Sequence, residues 1–185
     1  MTTRRLPYVS SSAHFSPDRV HRYSLIRGLS LPVSLIEHCT HEPAAGGVVL
    51  FAGLNPSKAD EHVDDPTCRR EATYARAWGF DVYRKGNLFA LRSTDPRALF
   101  DHADPYGPEN ELHVRALIWG ARLVICAWGN DGPKTERRRA IERLLVQHPK
   151  SAYLKRNKDG SPGHPLYLKK TLQPIPFTDE ERARW

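Results

Sequence analysis

Val48-Val49-Leu50-Phe51-Ala52-Gly53-Leu54-Asn55-Pro56-Ser57 is the stretch whose reading decides the fold. It begins as a continuous apolar run with β-branched residues, the pattern of a strand buried on both faces. It then breaks into Gly-Leu-Asn-Pro-Ser. Gly53 permits close backbone approach, and Pro56 cannot continue a sheet ladder. A polar loop with clustered carboxylates follows, Asp60-Glu61-His62-Val63-Asp64-Asp65, and Pro66-Thr67-Cys68-Arg69-Arg70 then opens a helix. Ligands of open α/β sheets bind beyond the carboxyl ends of the strands. Asn55, Ser57 and the carboxylates behind them are therefore the first place to look for a site.

Working outward, strands and helices alternate. The helix spans 67–78, with Asp64, Asp65 or Thr67 as candidate cap, Pro66 at its first turn and Gly79 as its stop. Residues 81–91 read as a strand ending in Arg92-Ser93-Thr94-Asp95-Pro96. A helical turn over 96–100, a loop over 101–110 and a helix closing at Gly120 come next. Residues 123–129 are a third buried strand. Residues 134–147 are an amphipathic helix, with Ile141, Leu144 and Leu145 as its stripe and Arg137, Arg138, Arg139 and Arg143 on the polar side. A short fourth strand over 152–154 and a turn-rich loop over 158–163 lead to His164-Pro165-Leu166-Tyr167-Leu168. Upstream, residues 1–20 read as loosely ordered and 21–27 as a strand suited to a sheet edge. Residues 31–39 read as a strand or short helix, and 41–47 as a loop. The alternation predicts one domain: a three-layer α/β/α sandwich on a central, mostly parallel sheet of about four strands. Its core spans 21–172, with a charged tail over 173–185.

Composition narrows the function classes. The chain has 185 residues, 39% hydrophobic and 26% charged, which is the balance of a globular domain with a real core. A formal net charge of +7 favours an anionic partner, nucleic acid or a nucleotide. The three cysteines, Cys39, Cys68 and Cys126, form no Cys-x-x-Cys, so neither a zinc ribbon nor a disulfide scaffold is indicated. No apolar run suits a signal peptide or a membrane span. A cytoplasmic monomer with no membrane partner is the expectation.

Six motifs together resemble the bacterial family of unknown function numbered 1643, over roughly Arg22 to Leu168. They are Gly53-Leu54-Asn55-Pro56-Ser57, Asp64-Asp65-Pro66-Thr67, Asn87-Leu88-Phe89-Ala90-Leu91-Arg92, Thr94-Asp95-Pro96, Ala127-Trp128-Gly129 and His164-Pro165-Leu166-Tyr167-Leu168. Four of them, in the same order, are also similar to the uracil-DNA glycosylase superfamily. That superfamily has a Gly-x-Asp-Pro or Gly-x-Asn-Pro loop after its first buried strand, a strand ending in a base-reading Asn, a strand ending in Trp-Gly, and a His-Pro loop. Here those are Gly53 to Pro56, Asn87, Trp128-Gly129 and His164-Pro165. Position 55 is Asn where the most active branch has Asp, as in the mismatch-specific branch. The His-Pro loop lacks the Pro and Ser that usually follow.

The resemblance implies an enzyme that extracts a damaged or modified base from nucleic acid, DNA above all, and hydrolyses its glycosidic bond. It needs neither metal nor organic cofactor. Asn55 would position the water, though an amide takes up no proton and is a poor general base. His164 would donate a hydrogen bond to the departing base. Asn87 carries a donor and an acceptor on one amide and can read a base edge. Phe51, Phe89 or Trp78 would stack on the base, and Leu166 or Tyr167 would wedge into a duplex. Gly53, Leu54, Pro56, Asp65, Trp128, Gly129 and Pro165 would complete the pocket. Ser57, Lys58, Arg69, Arg70 and Arg92 are candidates for phosphate contacts.

The same residues admit structural roles. Asn55 suits an Asx turn before Pro56. Asn87 and His164 could pin loops. Phe51, Phe89 and Trp128 read as core, and Arg137 to Arg139 as a solvated helix face. A binding module that recognises a modified base or nucleotide without cleaving it is the alternative function. A metal-dependent hydrolase built on the Asp60–Asp65 carboxylates is a further one, although Asp64-Asp65-Pro66-Thr67 reads better as a helix cap.

Overall fold

The computed structural model describes residues 7–32 and 46–185. The element expected over 31–39 and Cys39 thus fall largely outside the described residues, as do residues 1–6 and most of the 41–47 loop. The chain forms β1 (Ser10–Phe15), β2 (Arg22–Gly28), β3 (Val48–Gly53), α1 (Pro66–Ala77), β4 (Val82–Asn87), α2 (Ala98–Asp101) and α3 (Asn110–Ile118). It continues through β5 (Leu123–Cys126), α4 (Glu136–Val146), β6 (Ser151–Tyr153), a 3₁₀ turn (Pro165–Tyr167), β7 (Ile175–Pro176) and α5 (Asp179–Arg182).

β3 is buried along its whole length, as its apolar run requires. It runs parallel to β4 on one side and β5 on the other, and β6 extends the parallel set beyond β5. Its side chains alternate between two cores. Val49 and Phe51 share one with Ala72, Tyr74 and Ala75 of α1. Leu50 and Ala52 share the other with Val114 and Leu117 of α3 and Ile141 and Leu145 of α4. Helices therefore cover both faces of β3.

The sheet itself differs from expectation. It has seven strands, in the order β1-β2-β4-β3-β5-β6-β7, rather than about four. It is mixed rather than mostly parallel, because strands added antiparallel at both edges flank the parallel centre. β1 lies in the segment expected to be loose. Its side chains are mostly half-buried and rich in serine, so no period-2 contrast marks it. Its presence makes β2 an interior strand, not an edge. β7 has two residues, both exposed, and only pairing defines it.

Helix ends follow the sequence. The Asp65 carboxylate accepts from the Cys68 N–H at 2.8 Å and caps α1, with Pro66 in the first turn. Thr135 caps α4, and Thr178 with Glu181 forms a capping box on α5. Arg138 corrects the reading of α4, because it is not on a solvated face. It is 1% exposed, bonds Glu142 at 2.7 Å and donates to the Asp131 carbonyl at 2.5 Å.

The carboxylates of the 60–65 loop are held by protein partners. Asp60 Oδ1 accepts from the backbone N–H of His62 and Val63, Glu61 pairs with Arg19, and Asp65 caps α1. Asp64 receives Arg27 at 2.8 Å and the Tyr8 hydroxyl at 2.5 Å. Both side chains of the Arg27–Asp64 pair are almost wholly out of water. Removing one partner of such a pair strands the other's charge, which costs about 3–5 kcal/mol. Asp64→Ala is therefore expected to lower the unfolding free energy by about that amount in urea. The same change at Asp95, whose pair with Arg97 is exposed, is expected to leave it almost unchanged. Equal losses at the two positions would refute this role for Asp64.

Candidate functional site

The carboxyl ends of the parallel strands converge on a cavity of about 660 Å³, within the size range of small-molecule sites. Gly53, Leu54, Asn55 and Ser57 enter it from the end of β3, and Lys85 from β4. Trp128, Gly129, Asn130 and Asp131 follow β5. Lys155, Asn157, Gly163, His164, Leu166, Tyr167 and Leu168 follow β6. Arg22, Asp65, Thr67, Ser93, Thr94 and Pro96 complete the wall.

Backbone bonds lace these strand-end loops together. The N–H groups of Leu88 and Phe89 donate to the carbonyls of Gly53 and Leu54, and Ser93 donates to Pro56. Gly129, at φ +71°, donates to Pro162 and joins the β5 loop to the β6 loop. Asn55 is fixed within this lacework. Its Nδ2 faces the carbonyls of Pro56, Leu91 and Ser93 at 3.1, 3.3 and 3.0 Å. Three carbonyls around one amide position demand a donor, which settles the orientation of the amide. Oδ1 is left as the acceptor for the cavity.

Lys85 sits on the cavity floor, 4% exposed, and contacts Glu71 at 2.5 Å. Burial pushes the Glu71 carboxyl up, against the pull of Lys85 and of the Tyr83 hydroxyl that donates to it at 2.5 Å. A Cβ at Gly53 would come within 2.6 Å of Lys85 Nζ and 3.0 Å of Asn87 Oδ1. Glycine is what lets β3 end directly against these two groups.

Asn87, the last residue of β4, is 1% exposed, and neither atom of its amide has a partner among the described residues. Buried amides are nearly always hydrogen-bonded, so an amide idle at both ends beside a cavity stands out. His164 Nδ1 is likewise buried without a partner among the described residues. Burial, and then the charge of Lys85, push the His164 imidazole down to about 4, so it is neutral at pH 7. Asp65 shows the opposite balance. Burial raises its carboxyl, but the Cys68 N–H, Lys85 and Arg22 together hold it below the usual carboxylate range. The cavity thus presents a neutral imidazole and an ionised carboxylate.

Of the residues singled out from the sequence, Gly53, Leu54, Asn55, Ser57, Asp65, Trp128, Gly129, His164, Leu166 and Tyr167 line the cavity. Tyr167 stands 85% exposed at its rim, whereas Trp128 shows only an edge and is otherwise core, against Trp185. Pro56, Asn87 and Pro165 lie just behind the lining and are buried. Phe89 packs on Tyr106 in the core, and Phe51 stacks on Trp78, away from the cavity. Lys58 and Arg92 line a shallow basic recess with Arg19, which shares Ser57, Ser93 and Thr94 with the cavity. Arg69 and Arg70 turn elsewhere, to the carbonyls of Asp64 and Leu168. Sequence reading missed Arg22, Lys85 and Asp131. For Arg22 and Lys85, a cation inside a run that reads as strand was the available signal, since a buried charge needs a partner.

The depressed His164 has a stability signature. The unfolded chain takes up the proton near pH 6.5 and the folded chain near 4, so stability is complete above 6.5 and falls as pH drops toward 4. His164→Gln is expected to remove about 3 kcal/mol of that acid-side loss, read as a flatter dependence of urea unfolding on pH. Parallel curves for wild type and variant would show that His164 titrates normally.

Comparison with known proteins places the chain in a family. The family described as "Protein of unknown function (DUF1643)" matches residues 22–166, a span that includes the cavity lining except Tyr167 and Leu168. No curated protein and no solved structure matches the chain at a significant level. The chain belongs to the DUF1643 family.

Proposed function

We propose that the cavity is a nucleobase site of the uracil-DNA glycosylase kind, which takes a damaged or modified base from nucleic acid and hydrolyses its N-glycosidic bond. On this reading the two helix-covered faces of the sheet are the three-layer arrangement of that superfamily. The observation that carries the reading is the Asn87 amide, buried with neither donor nor acceptor paired, just behind the cavity wall at Gly53. A base edge, with donor and acceptor side by side, is the ligand that would satisfy both.

The remaining groups divide the chemistry. The base leaves with the bonding electron pair, water oxygen joins the sugar carbon, and the proton that the water loses neutralises the departed base anion. Asn55 Oδ1 holds the water. Asp65, ionised on the same cavity, faces the positive charge that develops on the sugar. Neutral His164 donates to the base as it gains charge. Tyr167 at the rim is placed to occupy the gap left by an extracted base. Arg19, Lys58 and Arg92 in the adjoining recess suit the phosphates beside it.

A recognition module that binds the base without cleaving it is favoured by one specific observation. The locked Asn55 amide can orient a water but cannot take its proton.

The test is single-turnover base release, with the protein in excess and chelator present. The oligonucleotide panel carries uracil, hypoxanthine, and oxidised and hypermodified bases. Release from at least one is expected, and His164→Ala should slow it by about 10²–10³-fold while leaving oligonucleotide affinity nearly intact. Asn55→Ala should lose release as well. Salt-sensitive binding without release on any member would leave the recognition module standing.

Asn87→Asp supplies a second check, since it replaces an amide donor with an acceptor at the base edge. The order of preference across the panel is expected to change. An unchanged order would remove Asn87 from the site.

A further inference from the structure

We propose that His14, Glu109 and His113 form a zinc-binding site that clips the edge strand β1 to helix α3. It lies outside the cavity lining and depends on no reading of the cavity. Glu109 is the N-cap immediately before α3, and the N–H of His113, four residues on, donates to its carbonyl at 3.1 Å, so the first turn places both on one face. His14 reaches them from β1. The ligand atoms of all three residues lie within 4.8 Å of one another. His113 Nε2 is 3.5 Å from Glu109 Oε2, and His14 Nε2 is 3.9 Å from the same oxygen.

Those distances discriminate between a hydrogen-bonded cluster and a metal site. Hydrogen bonds of this type close to about 2.7–3.2 Å, so the carboxylate is at best poorly bonded to either ring. A tetrahedral zinc with bonds of about 2.0–2.1 Å separates neighbouring ligand atoms by about 3.3 Å. The two carboxylate–imidazole separations, 3.5 and 3.9 Å, are already close to that spacing, and the two imidazoles lie within 4.8 Å of each other. The two rings also lie close together, with centroids 4.5 Å apart.

The surroundings support a fixed ligand set. The Tyr23 ring stacks on His113 at 5.0 Å, with only 3° between the planes, and holds the imidazole in orientation. His14 and Glu109 are more than half exposed, so an ion has an open path in. Two imidazoles and one carboxylate are a familiar ligand set for zinc, with water completing the shell. Such an ion would tie residue 14 to residues 109 and 113 and reinforce a strand that otherwise hangs on one neighbour, β2.

The full chain, stripped with chelator and dialysed, is titrated with Zn²⁺ alone by calorimetry and thermal unfolding. One equivalent should bind and Tm should rise. His14→Ala and His113→Ala should each weaken binding by at least the roughly 10- to 100-fold that even a supporting residue commands, and should abolish the rise in Tm. Glu109→Gln, which keeps shape and removes charge, should weaken it too. His62→Ala, at an exposed histidine outside the cluster, should change neither reading. His14 is exposed on an edge strand, so its removal tests coordination rather than folding. No stoichiometric uptake by the wild-type chain, or uptake that survives both histidine substitutions, would overturn the site.

Discussion

The cavity rests on the buried ion pair between Lys85 and Glu71. Withdrawing two charges from water costs several kcal/mol per ion, and only close geometry with further hydrogen bonds offsets it. Here the pair closes to 2.5 Å, and the Tyr83 hydroxyl takes the second carboxylate oxygen. Because Glu71 belongs to α1 and Lys85 to β4, the pair fixes the helix against the sheet. It thereby holds Asp65, the cap of that helix, at the cavity wall. The ammonium also sits where any side chain at position 53 would have to go, so the glycine at the end of β3 and the lysine on β4 require each other. The same charge lowers the proton affinity of both His164 and Asp65. One contact therefore sets where the site's groups are and how they are charged.

The parallel centre of the sheet explains why those groups meet at all. β3, β4, β5 and β6 run in one direction, so their carboxyl ends lie at one edge and each contributes a loop. The polar residues that close each strand are far apart in the chain and adjacent in space. The antiparallel additions, β1, β2 and β7, extend the sheet sideways, and among them only Arg22 of β2 lines the cavity. Site and scaffold are thus separable. The centre positions the chemistry, and the edges determine how much of the sheet is covered.

That division also governs what the sequence disclosed. The central strands were legible because burial on both faces leaves an apolar run bounded by glycine and proline, as in Val48 to Pro56. The loops at their ends were legible because polar residues there break the run. Edge strands offer no such contrast: β1 is serine-rich and half-buried, and β7 is two exposed residues that only pairing defines. Arg138 was assigned to solvent because charge alone suggests it, whereas Glu142 one turn on provides its partner inside. Lys85 and Arg22 were missed for the same reason. A charged residue within a strand-like run is better read as half of a pair whose other half must be sought. The His14, Glu109 and His113 cluster was not legible in the sequence, since no sequence rule brings β1 beside α3.

The locked Asn55 amide bears most directly on what the cavity can do. Its nitrogen is committed to three backbone carbonyls, so the side chain cannot turn to offer a donor without breaking all three. What faces the cavity is an acceptor fixed in position and unable to take up a proton. A fixed acceptor orients water well, and orientation alone recovers a large share of a hydrolytic barrier. It does not remove the proton that water must lose. If the bond breaks ahead of attack, water meets a sugar that is already cationic, and a weak acceptor suffices because the oxygen becomes acidic only as it bonds. Asp65, ionised on the same cavity, then matters through its charge as much as through its basicity, by stabilising the cation before water arrives. On the proposed reading, a site built this way would tolerate Asn at position 55 for a base that leaves readily and would act as a recognition site for one that does not. The leaving ability of the base, more than the identity of residue 55, would then separate cleavage from binding.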